Sequence, residues 1–267
     1  MEVLNGEWVF SSVLTDLKNN PSEVAYSERV CPKHGKYTAK IMHFNGSEIA
    51  CACPVCEEEQ KQIDQCEFER AERKRHIKHC EECNIEPEFY FKTIADFVPK
   101  SDSQRIAFEA VKKMISEKHG KIVLLGGNGV GKTMLASIAA KELNGKIYTM
   151  YEISTMIRQS YTVKADKSEL EIVRSLISLP FLAIDEIGRS KGSLAEQNWL
   201  SEVLNKRHSR RLPFMLLGNG HFKSMCPNHG CNKCFENFVD SDILSRLQSD
   251  SSVIMIIAND ERKTQGF

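Results

Sequence analysis

The chain has 267 residues, 41% of them hydrophobic, enough to fill one ordinary core and a smaller one. Lysine plus arginine (36) balance aspartate plus glutamate (36), so no whole-chain field favours nucleic acid and any such contact has to be a local patch. The opening MEVLNGEWVFSSVL lacks a basic region followed by an apolar run, and no stretch of about eighteen apolar residues occurs, which predicts a cytoplasmic protein without membrane contact.

Residues 1 to about 30 are weakly patterned. Cys31-x2-His34 and Cys53-x2-Cys56 follow, two tight two-ligand turns separated by eighteen residues, the arrangement by which Zn2+ closes a small structural tetrahedron. Lys33 and Lys36 can offset the charge of a three-thiolate site, and Cys51 is a competing ligand. With no secretory signal, the ten cysteines are expected to be reduced. Residues 57–79 are a run of alternating charge with helical spacing, and EPEFYFKTIADFVP, with its aromatics and two prolines, reads as an irregular strap. Cys66, His76, His79, Cys80 and Cys83 in this stretch are expected to be solvated helix residues rather than ligands. Three segments are thus predicted: a zinc-binding module over 1–60, a charged helical connector and strap over 61–95, and a larger domain over 96–267.

In the larger domain Ile106, Ala107, Ala110, Val111, Met114 and Ile115 share a helical face behind a Ser/Asp start, with Gly120 placed to end the helix. KIVLL, IYTM, FLAID, PFMLL and VIMII are short apolar runs separated by helical patterns, which predicts an α/β fold with a five-stranded parallel sheet flanked by helices.

GGNGVGKT, from Gly126 to Thr133, fits the phosphate-binding G-x-x-x-x-G-K-[ST] loop between the KIVLL strand and the helix TMLASIAAKEL. Gly126, Gly127, Asn128, Gly129, Val130 and Gly131 would wrap main-chain N–H groups around ATP, with Lys132 on the β/γ oxygens and Thr133 on Mg2+. In FLAIDEIG, Asp185 falls at the carboxyl end of a buried strand and can hold Mg2+ through water, while Glu186 is the group to polarise an attacking water.

The P-loop, FLAIDEIG, PFMLLGNG and DILSRL, in this order, resemble the DnaC/IstB branch of the AAA+ ATPases, over about residues 80–260. The resemblance implies an AAA+ core without a helical lid domain. It also implies that Asn219 is the sensor residue near the γ-phosphate and that Arg246 is a finger reaching the neighbouring subunit's nucleotide, so that hydrolysis is weak and assembly-dependent. Loaders of this branch often carry an N-terminal zinc module like CPKHG…CPVC. The leading expectation is therefore a helicase loader with a replicative DNA helicase, single-stranded DNA and copies of itself as partners. The alternatives are a transposition helper ATPase acting on duplex DNA and a nucleotide-gated scaffold with negligible turnover.

Relative to the plain family pattern, Cys226-x2-His229-x1-Cys231-x2-Cys234 is an insertion between Asn219 and Arg246 and a candidate second zinc site. Arg158, Tyr161, Lys164 and Lys167, between the second and third strands, are candidates for single-stranded DNA. Arg207, Arg210 and Arg211 form another basic group, expected on an inter-subunit or DNA surface.

Overall fold

The computed structural model describes residues 2–4, 7–9, 25–44, 47–163, 165–188, 194–226, 228, 231, 234–239, 241–250 and 252–258. The chain divides into two compact units, Met1–Arg75 and His76–Phe267, so the connector expected over 61–95 is shared between them.

The first unit pairs β1 (Glu2–Leu4) with β2 (Glu7–Val9), and separately forms an antiparallel sheet of β3 (Ala25–Cys31), β4 (Gly35–Phe44) and β5 (Ser47–Ala50). The β3–β4 register pairs Cys31 with Gly35, which closes the turn holding His34. Helix α1 (Pro54–Glu82) begins in this unit. Its exposed side chains pair along the surface, as in Lys61–Glu57 and Arg75–Glu72, the behaviour of a solvated helix with no apolar stripe.

The C-terminal end of α1, from His76, belongs to the second unit and differs from the expectation of solvated residues. Cys80 is fully buried and Cys83 nearly so, both in the apolar cluster with Ala107, Leu135 and Ala139. Here they pack as small hydrophobes, and burial pushes the Cys83 thiol up to about 11. The strap is irregular, with single 3-10 turns at Pro87–Phe89 and Ile94–Asp96. The Lys141 ammonium ties it down, donating to the carbonyls of Phe89 (2.7 Å), Tyr90 (3.0 Å) and Lys92.

Five parallel strands, β6 (Lys121–Gly126), β7 (Lys146–Thr149), β8 (Leu182–Ile187), β9 (Phe214–Gly218) and β10 (Ser252–Ile256), lie in the order β10-β6-β9-β8-β7. Between them run α2 (Asp102–Glu117, before β6), α3 (Lys132–Glu142), α4 (Met150–Ser160), α5 (Glu169–Ser178), α6 (Leu194–Ser209) and α7 (Ser241–Asp250). Alternation along β6 splits the core. Ile122 and Leu124 join the cluster of α2 and α3, whereas Val123 and Leu125 join that of α4, α5, α6 and α7. On α2 the predicted face is buried at Ala107, Val111 and Met114, but Ile106 is exposed, and the helix ends on Lys118 at φ 54° rather than on Gly120.

Arg207 overturns its surface assignment. It is fully buried, and its guanidinium donates to the carbonyls of Leu176, Ile177 and Leu179 at the end of α5 and to Pro213 before β9. A helix C-terminus leaves carbonyls without intrahelical donors, and one guanidinium satisfies them. Desolvation pulls its pKa down to about 10, which leaves it charged at neutral pH. Arg207→Met keeps the volume and strands these oxygens. It should cost about 3 kcal/mol or more, read as a lowered urea midpoint by fluorescence of buried Trp199; an unchanged midpoint would contradict this role.

Candidate nucleotide and metal sites

The loop between β6 and α3 turns where it does because two glycines allow it. A Cβ on Gly126 would lie 2.4 Å from the Ile256 carbonyl of β10, and Gly131 sits at φ 93°, with the Phe97 ring where a side chain would go. Gly131 caps α3 without any side-chain acceptor, so the first N–H groups of the helix remain for an anion. Beneath the loop, Gln104 accepts from the Lys100 N–H and donates from Nε2 to the Val130 carbonyl (3.3 Å), fixing the loop from α2. Gln104 was not among the expected residues; its only sequence signal is a polar side chain on an otherwise apolar helix face.

Lys132 is buried and donates to the carbonyls of Gly126 (3.0 Å) and Gly127 (2.7 Å) and to Oδ1 of Asn219 (3.0 Å). The next residue along the helix is Thr133, whose hydroxyl donates to Oδ2 of Asp185 at 2.8 Å. Glu186 holds φ 60°, unusual for a non-glycine residue, and its N–H donates to Oδ1 of Asp185 (2.6 Å). The sheet order explains the convergence: β9, followed directly by Asn219, lies between β6, which feeds the loop, and β8, whose last residues include the acid pair.

A cavity of about 400 Å³ opens here. Its floor is Asn128 to Thr133 with Asp185, Glu186 and Asn219, and its other wall is the strap residues Phe89, Phe97 and Val98. The residues fit a magnesium nucleotide: bare helix N–H groups and an ammonium face a hydroxyl–carboxylate pair suited to a hard cation. The structure thus brings together every residue predicted for the phosphate and magnesium site. Arg246 lies apart, exposed on α7, where its carbonyl accepts from Lys121 Nζ (2.9 Å).

In the first unit, Nδ1 of His34 lies 3.8, 3.7 and 3.3 Å from the sulfurs of Cys31, Cys53 and Cys56, and the Cys31 and Cys56 sulfurs are 3.5 Å apart. Zn–S bonds of about 2.3 Å and Zn–N bonds of about 2.0 Å at tetrahedral angles put sulfur and nitrogen about 3.5 Å apart, so the four atoms fit one zinc ion. Cys51 is outside this set, and its N–H instead extends the sheet to Lys40. Sequence reasoning missed Glu59, which holds Nε2 of His34 at 3.3 Å and pairs with Lys33 at 2.5 Å, the outer carboxylate that orients a ligating imidazole. The N–H groups of Lys33 and His34 bring the Cys31 thiol down to about 6, whereas the hydrogen bond with Cys31 drives Cys56 up to about 11.

The second cysteine cluster gathers Cys226, Cys231 and Cys234 around His221. His229, the expected histidine, lies outside the described residues, as does Lys164. Of the other DNA candidates, Arg158, Tyr161 and Lys167 are exposed; Arg158 sits 5.8 Å over the Tyr151 ring and the Tyr161 hydroxyl donates to Glu169. Arg210 and Arg211 are exposed.

The fold and the loop–acid pair define a P-loop nucleotide-binding protein. The chain belongs to the IstB-like ATP binding protein family, the DnaC/IstB-like AAA+ ATPases, with residues 52–265 matched. Replicative helicase loader DnaC of Escherichia coli K12 is 24% identical over 78% of this chain and 85% of its own. The corresponding loader of Buchnera aphidicola (Schizaphis graminum) is 26% identical over 46% and 54%. Among solved structures, DnaI superposes with a TM-score of 0.51 at 19% identity, covering 67% of this chain and 94% of DnaI. AMPPCP-bound DnaA from Aquifex aeolicus gives 0.52 at 18%, over 67% of this chain and 53% of DnaA, so the chain spans about half of that initiator. Among the described residues, no helix is long and apolar enough to cross a membrane.

Lys132→Ala should reduce ATP affinity roughly a hundredfold or more in titration calorimetry, with the fold and zinc content intact. Wild-type affinity in that variant would count against the phosphate assignment.

Proposed function

We propose that the protein is an ATP-dependent helicase loader: ATP-bound subunits assemble, the N-terminal unit recognises the replicative DNA helicase, and the larger unit handles single-stranded DNA while the helicase ring is loaded. The relationship to replicative helicase loader DnaC, across most of both chains, carries this reading. The geometry supports the ATPase part. Lys132, already bonded to Asn219, would exchange loop carbonyls for phosphate oxygens, leaving Asn219 to meet the γ-phosphate or orient water. Glu186, on the cavity wall beside Asp185, would take a proton from the attacking water. Mg2+, held through Thr133 and Asp185, would supply charge neutralisation on the phosphates. Arg246, exposed on its helix, would reach a neighbouring subunit's nucleotide and compensate transition-state charge, so an isolated subunit turns over slowly. Arg158, Tyr161 and Lys167 would provide cations and a ring for single-stranded DNA, and zinc on Cys31, His34, Cys53 and Cys56 would hold the shape of the helicase-recognising unit.

The family match to IstB-like proteins favours one second reading, a transposition helper acting on duplex DNA. Affinity capture with the full-length chain in ATP separates the two. The replicative helicase should be recovered, whereas a transposase recovered in its place would overturn the loader. Arg246→Ala and Glu186→Gln should both bind ATP normally. Glu186→Gln should lack turnover at every protein concentration, and Arg246→Ala should lose the rise in specific activity with concentration; retention of that rise would remove Arg246 as the finger.

A further inference from the structure

We infer that the larger unit carries its own structural zinc ion, held by Nε2 of His221 and the sulfurs of Cys226, Cys231 and Cys234, which closes the segment joining the Asn219 end of β9 to α7. The four ligand atoms lie within 4.8 Å of one another. Nε2 of His221 is 3.5 Å from the Cys231 sulfur and 3.6 Å from that of Cys234, the sulfur–nitrogen edge of a zinc tetrahedron. Three soft sulfurs and an imidazole suit zinc, and four protein ligands leave no position for a substrate, so the ion is a staple.

The surrounding main chain is arranged for these ligands. His221 and Cys234 form a parallel bridge, and the Phe235 N–H donates to the His221 carbonyl at 2.9 Å. Nδ2 of Asn237 donates to the Cys231 carbonyl (2.9 Å), and the Glu236 carboxylate accepts from the Lys223 N–H (2.9 Å). Phe222 and Phe235 meet edge to face at 6.0 Å. One side of the cluster is therefore anchored, because Phe235, Phe238 and Val239 are buried in the core with Ile187 and Leu216. Among the described residues, the regular structure between β9 and α7 is the single bridge and two 3-10 turns, Lys223–Met225 and Phe235–Asn237. Ordering a long connection loses backbone entropy, and a metal cross-link offsets that loss. Its first ligand is two residues beyond Asn219, so the ion fixes the exit of the strand end that Lys132 grips.

The test is the metal content of the full-length protein, purified reduced and measured by plasma mass spectrometry. Two zinc ions per chain are expected, one for each cluster. Cys53→Ser and Cys231→Ser should each retain one, and the double variant none. His221→Ala should retain one and His229→Ala two. Should a variant not fold, mercurial titration of the wild-type thiols with a zinc indicator gives the count directly. Hydrogen exchange should rise over residues 221–239 in Cys231→Ser. A single zinc in the wild type that Cys53→Ser removes, iron in place of zinc, or loss of zinc from His229→Ala but not from His221→Ala would each overturn the assignment.

Discussion

The Lys132 ammonium and the adjacent Thr133 hydroxyl tie together the ends of three strands. The ammonium bonds the carbonyls of Gly126 and Gly127 at the end of β6 and the amide oxygen of Asn219 at the end of β9, while the adjacent Thr133 bonds Asp185 at the end of β8. A buried cation in low dielectric must be compensated, and here carbonyl and amide oxygens do so. A triphosphate offers the same cation full negative charge, so ligand entry replaces weak acceptors with strong ones. Because Asn219 shares that cation, the replacement is felt one strand away from the loop. The order β6-β9-β8 makes this possible, since no side chain has to reach past a neighbour.

The two units achieve stability by different means. In the larger one, both faces of the sheet are covered by extensive apolar clusters. In the first, the buried apolar side chains among the described residues are Cys31, Ala39, Ile41 and Cys53, and two of these four are candidate metal ligands. Few apolar groups are buried among these described residues, and small domains commonly supplement a small apolar core with a metal. The Glu59–His34 contact indicates how the ligand set is kept in register.

Much of the larger unit was legible because its signals are local. All five strands were visible as short apolar runs, and the P-loop combines a spacing rule with a strand before it and a helix after it. What escaped was decided by tertiary contacts. Arg207 reads as one of a basic trio, yet only its helical position faces the end of α5. Cys80 and Cys83 share a charged sequence with solvated residues, and only the packing of the C-terminal end of α1 on the apolar cluster buries them. His221 lies outside the compact Cys/His run and joins it through a backbone bridge that spacing does not encode. Gln104 and Glu59 act on ligands rather than as ligands, and a motif does not register such partners.

Helix α3 carries the Gly131–Thr133 end of the phosphate loop at its start, and Lys141, from which the strap carbonyls hang, in its last turn. The phosphate-loop part of the cavity and the Phe89 part of its opposite wall are therefore both attached to one helix of about 16 Å. A displacement of this helix against the sheet would carry loop and strap together relative to the acids and the amide, which are fixed to the strands.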